Sequence, residues 1–179
     1  MVHGDYATAH PFSNEERAKL IILQDKIYFH STMAVNYTTY DGRQESETLN
    51  PRTHADIMTL SQGDVHPYEY SRILGIFRVK VLHPTLGNNV QEVDMLWVRY
   101  YEFDEKYQGG LKARRFYRVH FTNSAHGDAF GFLDPQDVLR AAHLIPGFRY
   151  GRTQVLLPKS LSRWKSEGDE DWMFYHVNM

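Results

Sequence analysis

The chain has 179 residues, 42% of them hydrophobic, with 20 Lys and Arg against 22 Asp and Glu, a formal charge of −2. That is enough apolar material for the core of one ordinary domain, and the near-neutral balance disfavours attachment to nucleic acid by bulk positive charge, leaving only a local basic patch. With no Cys there is no disulfide scaffold, thiolate nucleophile or Cys-ligated zinc site. No apolar run is long enough to span a bilayer, and the N-terminus lacks a signal-peptide layout, so a soluble, intracellular domain is expected.

Residues 1–12 carry no period and read as a flexible arm. Ser13-Asn14-Glu15-Glu16 has the form of a capping box, in which the Ser13 hydroxyl accepts from the Glu16 N–H and the Glu16 carboxylate reaches back. It predicts a short helix to about Asp25, with Ala18, Leu20, Ile21 and Leu23 as its apolar members. Strand signals dominate from there. Residues 27–40 are rich in Tyr, Phe, Thr and Val and end at Asp41-Gly42, a strong turn pair. The polar stretch 44–50 reads as a loop before Pro51, and 55–60 as a short strand. Residues 68–82 form a long strand that pairs, as a hairpin, with 93–103. Gly109-Gly110 breaks the chain before another strand at 114–121. Asp134 and Pro135 then suit the N-cap and first position of a short helix near 135–142. Residues 159–171 are highly charged and read as a linker, after which 172–177 form an apolar, strand-like run. Such a run needs pairing to avoid aggregation, so either it completes the sheet or the chain is cut from something longer. Turns every 8–15 residues without a βαβ rhythm predict a small antiparallel barrel or twisted sheet.

Three constellations can carry chemistry. His54 and Asp56 in a His-x-Asp arrangement, with His143 downstream and Arg152 nine residues further, match the ligand order of Fe(II)/2-oxoglutarate oxygenases. The plainer reading is a surface loop in which Asp56 pairs locally. The segment Lys112-Ala113-Arg114-Arg115-Phe116-Tyr117-Arg118 interleaves cations with aromatics, so it can track phosphates and stack bases, or its Arg stems can cover a barrel edge. The aromatic residues, 14% of the chain, recur near strand ends as Tyr37, Tyr40, Trp97, Tyr100 and Tyr101. Most such rings line a core; converging rings beside acids form a cage for a methylated ammonium. No nucleophile elbow and no phosphate-binding glycine loop is present.

Two resemblances extend this reading. The strings Asn36-Tyr-Thr-Thr-Tyr-Asp41, Asn50-Pro-Arg-Thr-His-Ala-Asp56, Leu96-Trp-Val-Arg99, Ala129-Phe-Gly-Phe-Leu-Asp-Pro135, His143-Leu-Ile-Pro146 and Glu170-Asp-Trp172 occur in one order from about residue 20 to the end. Together they resemble the C-terminal segment of Plavaka-type transposases of mushroom-forming fungi. That resemblance implies that the catalytic carboxylates lie in an upstream RNase H-like region. It also implies a nuclear location and a chain that is part of a longer protein. Tyr70-Ser-Arg-Ile-Leu-Gly-Ile-Phe77 followed by Trp97-Val-Arg-Tyr-Tyr101 resembles the core strands of a BAH (bromo-adjacent homology) domain, although Tyr100 stands where that family usually has Trp.

The expectation is therefore a mainly β protein: a BAH-like domain over 13–158 and a charged linker with terminal strand over 159–179. Its expected role is a non-catalytic interaction module without a cofactor. The partners would be DNA, histone tails or the catalytic region of a transposase, and not a membrane. An aromatic surface of Tyr37, Tyr40, Trp97, Tyr100 and Tyr101 and a basic contact through Lys112, Arg114, Arg115 and Arg118 would carry binding. The rivals are the oxygenase on His54, Asp56 and His143, and a purely structural domain exposing an apolar patch near 172–177.

Overall fold

The computed structural model describes residues 13–61, 63, 66–84, 89–160, 162–163 and 168–178; the expected arm at 1–12 lies outside them. The chain is mainly β. Helix α1 (Asn14–Arg17) is followed by β1 (Ile21–His30), β2 (Met33–Thr38), β3 (Gln44–Leu49), β4 (Asp56–Leu60), β5 (Tyr68–Leu82), β6 (Gln91–Phe103) and β7 (Tyr117–Phe121). Then come β8 (Phe130–Leu133), β9 (Val138–Ala141), β10 (His143–Pro146), β11 (Arg152–Thr153), β12 (Asp171–Trp172) and β13 (Tyr175–Asn178). One large antiparallel sheet runs in the order β10-β13-β7-β6-β5-β4-β9, with β1 paired to β5 and β8 to β6; β2–β3 and β11–β12 form separate pairs. Among the described residues this path has two ends and does not close into a barrel.

The chain divides into two compact units, one of residues 1–28 and 78–93, the other of 29–77 and 94–179. In the smaller unit the capping box forms as predicted, with Ser13 Oγ accepting from Glu16 N at 3.2 Å and Glu16 Oε2 from Ser13 N at 2.8 Å. The helix ends at Arg17 rather than Asp25, because the β-branched Ile21 and Ile22 enter a strand. Here the His83 imidazole meets the Glu16 carbonyl at 2.9 Å, and Glu92 pairs with Lys80 at 3.0 Å.

The larger unit has two apolar clusters, and the alternation of β6 feeds both. Leu96 and Val98 enter one cluster with Leu49, Ile57, Ile73 and Ile76, and Tyr100 packs against it. Tyr101 and Phe103 point the other way, toward Tyr70, Val119, Phe121, Tyr175 and Val177. Each fully buried Ile or Leu here contributes about 1.5–3 kcal/mol.

Three expectations are corrected in this unit. Residues 44–49 form β3, not a loop. The Asp41-Gly42 turn, with Gly42 at φ +80°, brings Gln44 opposite Thr38 and Leu49 opposite Met33. Their polarity on both faces hid the strand. The helix near 135–142 is a single 3₁₀ turn, Pro135–Asp137, capped by Asp134, after which Val138 begins β9. The charged stretch 159–171 is not a plain linker, since Arg163 and Asp171 are buried. The terminal run does complete the sheet: β13 pairs with β10 on one side and β7 on the other.

Candidate functional site

The chain between β6 and β7 builds a concavity of the larger unit that combines aromatic, acidic and basic side chains. Asp104 begins a turn in which the Tyr107 N–H donates to the Asp104 carbonyl at 3.0 Å. A 3₁₀ turn, Leu111–Ala113, follows, and Gly110 N donates to the Arg115 carbonyl at 2.7 Å, closing the loop on itself. Gly110 sits at φ +102°, and a Cβ there would lie 2.6 Å from the Tyr117 hydroxyl oxygen, so the loop needs glycine on both counts. Arg114 also adopts a left-handed φ of +50°. A side chain in that conformation costs roughly 1–2 kcal/mol that glycine would avoid.

The resulting cleft, about 650 Å³, is lined by His66, Phe103, Tyr107 and Tyr117 and by Asp104, Glu105, Gln108, Lys112 and Arg118. His66 stacks on Phe103 with ring centroids 3.5 Å apart and planes 12° apart, while Tyr117 stands edge-on to both. Burial pulls the His66 pKa below its ordinary value, which keeps the stacked imidazole neutral near pH 7. Arg118 does not face solvent as a free cation. Its Nε donates to Asp104 Oδ2 at 2.8 Å, and its guanidinium lies 4.1 Å from the Tyr107 ring centroid and 4.3 Å from that of Phe174. The Lys106 N–H takes the other Asp104 oxygen at 3.0 Å. Lys112, Arg114 and Arg115 are exposed on the same loop. The basic segment expected to be a strand is therefore mostly a loop. Two adjacent glycines and the left-handed Arg114 prevent a regular ladder before Tyr117.

The expected aromatic surface is not assembled in one place. Tyr101 is 8% exposed, stacks on Phe121 at 4.2 Å and donates its hydroxyl to Asp56 Oδ1 at 2.9 Å. Tyr100 packs against the opposite cluster, and Trp97 is half-buried beside Phe130. Only Tyr37 and Tyr40 share a concavity, of about 640 Å³, with Glu45 and Arg140. There the Tyr37 hydroxyl donates to Glu45 and Glu47, and the hydrogen bond to Glu45 with the nearby carboxylates pushes its pKa up to about 12.

The oxygenase ligand set is not gathered either. Both Asp56 carboxylate oxygens are engaged by Arg72, at 2.7 and 3.0 Å, and one also by Tyr101. His54 is exposed and meets the Thr48 carbonyl at 3.2 Å, whereas exposed His143 sits opposite Asn178 in the β10–β13 pair. Arg152 lies over the Trp172 ring at 4.5 Å. Among the described residues no three His, Asp or Glu side chains converge as a metal site. The apolar patch expected near 172–177 is largely buried too, Tyr175 and Val177 being core residues.

Sequence reasoning missed a buried charge cluster. Asp171 receives Arg99 at 3.0 and 2.9 Å and Arg163 at 3.1 and 2.7 Å. Arg163 also donates to the carbonyls of Leu157 and Pro158. Burial alone would raise the Asp171 pKa, but the hydrogen bonds from Arg163 and Arg99 hold it below the usual carboxylate value. The Arg99 guanidinium covers Phe121 at 3.8 Å, and its Nε has no hydrogen-bond partner among the described residues. One cue was in the sequence, Arg and Asp flanked by Trp, but nothing there pairs residue 99 with residue 171. No helix among the described residues is long and apolar enough to cross a membrane. No protein-family model matches the chain, and neither does any curated protein or solved structure.

Proposed function

We propose that this chain is a non-catalytic interaction module of a transposon-derived nuclear protein that docks on nucleic acid through the β6–β7 loop. The observation that carries the reading is the exposure of Lys112, Arg114 and Arg115 together on that loop, of which Lys112 lines an aromatic-walled cleft. Residues 104–118 hold five cations against two acids in a chain whose net charge is −2, so the positive charge is local. Such a patch attracts phosphates without making the whole protein basic. The finer likeness to a BAH-like barrel belongs to the same proposal. Its support is that the two strings carrying the resemblance lie on β5 and β6, which are hydrogen-bonded neighbours.

The test is binding of a labelled DNA duplex at low and moderate salt, comparing the protein with its Arg114→Ala/Arg115→Ala variant. Binding that weakens with salt and falls in the variant supports the reading. Absence of binding at low salt, by the duplex and by its separated strands alike, overturns it and leaves histone tails or the transposase catalytic region as the partner to test.

A further inference from the structure

We infer that the cleft beside the loop takes an unstacked nucleobase, so that the preferred ligand is single-stranded nucleic acid rather than duplex. This deepens the loop-docking reading and rests on it. Bulk phosphate attraction needs only the three exposed cations, yet one of them, Lys112, lines a concavity of about 650 Å³ walled by His66, Phe103, Tyr107 and Tyr117. That volume lies within the usual range for small-molecule pockets, roughly 300–1,000 Å³. Every base has a π-face, so aromatic walls next to a phosphate-tracking loop form a stacking site that tolerates any sequence.

The electrostatics of the cleft give a cationic side chain no advantage over a base with its phosphate. A free carboxylate among the rings strengthens a cage for such a cation. Here Asp104 is already spent on Arg118 and on the Lys106 N–H, and Glu105 shares the lining with Lys112 and Arg118. Lys112 and Arg118 in the lining repel an entering cation and attract the phosphate that a base trails, whereas Glu105 does the reverse. The Gln108 amide, also in the lining, offers both a donor and an acceptor to a base edge. A duplex keeps its bases stacked and paired, so it can use the loop but not the cleft.

The experiment measures fluorescence anisotropy of the full chain with four labelled probes at one salt concentration. These are a single-stranded DNA of about 12 nucleotides, within the range of single-strand site sizes, the RNA of the same sequence, the matching duplex, and an abasic strand with the same phosphates. The expected result is binding of the two single strands at least about tenfold tighter than the duplex or the abasic strand, as one stacked base supplies. Tyr107→Ala should remove that advantage, and Tyr107→Phe should keep it. The two single strands also separate DNA from RNA as the source of the base. Equal affinity for all four probes overturns the cleft inference while the loop reading stands. Failure of all four to bind at low salt overturns both. The abasic comparison uses the unaltered protein, so it decides the matter even if Tyr107→Ala unfolds.

Discussion

Two regions of the larger unit use the same ingredients, arginines, an aspartate and aromatic rings, to opposite ends. Around Asp171 the guanidiniums of Arg99 and Arg163 are 3% exposed and every carboxylate lone pair is directed at an arginine. In the β6–β7 loop one arginine, Arg118, is similarly locked to Asp104 over aromatic rings, but its neighbours Lys112, Arg114 and Arg115 project into solvent. The difference lies in what each charge has left to offer. A buried, paired arginine is committed to its partner in the fold, and removing that partner strands a charge in a low-dielectric site. An exposed cation adds almost nothing to stability and keeps its full attraction for a ligand. Charge-rich segments of similar composition thus divide into a structural cluster and an interface according to burial.

That contrast can be broken most directly at Asp171. Asp171→Ala leaves Arg99 and Arg163 without their shared partner and should cost about 3–5 kcal/mol, read as a lowered midpoint in urea unfolding. A loss below about 1 kcal/mol would show that the cluster is more solvated than its burial implies. The same carboxylate gives the cluster a pH signature. Folding depresses its pKa, so its contribution is complete above the ordinary carboxylate value near ~4 and is lost as pH falls through the folded value. Thermal melts from pH 6 to pH 2 should therefore fall steeply at the acid end, and Asp171→Ala should flatten that slope.

Gly110→Ala tests whether the loop is held by backbone geometry. The positive φ and the approach to Tyr117 predict a loss of about 1–3 kcal/mol together with weaker nucleic-acid binding, measured by calorimetric melting and anisotropy on one sample. The smallest stability effect belongs to Arg114→Ala/Arg115→Ala, within about 0.5 kcal/mol of the parent. Its binding should nevertheless fall, with a salt slope shallower by roughly 0.9 for each phosphate that the variant no longer neutralises. If this variant unfolds while Asp171→Ala does not, the assignment of the two regions is reversed.

The elements marked by local chemistry were legible in advance. The capping box of Ser13 and Glu16, the Asp41-Gly42 turn, the strands expected at 55–60, 68–82 and 93–103, and the Asp134 cap before Pro135 all announce themselves within a few residues. The β3 strand was not legible, because Gln44–Leu49 is polar on both faces and is recruited only by its register against β2. The candidate site was half legible. Lys112, Arg114, Arg115 and Arg118 stood out as a basic segment, whereas His66 reaches the cleft from the β4–β5 connection and stacks on Phe103 from β6. Tyr101 illustrates the reverse error: a ring next to Tyr100 in sequence faces away from it, because successive strand residues point to opposite faces.

Composition, turn chemistry and residue alternation determined that this chain would be a mainly β protein with a basic, aromatic segment near residue 115. Those properties are set by interactions over a few residues. Which arginines are spent and which are free, and which rings meet in a cleft, was decided only when strands distant in sequence came together. Asp171 must cross 72 positions to reach Arg99, and His66 must find Phe103, before either charge or ring has a role. Burial and pairing are properties of the packed chain, and no local pattern encodes them.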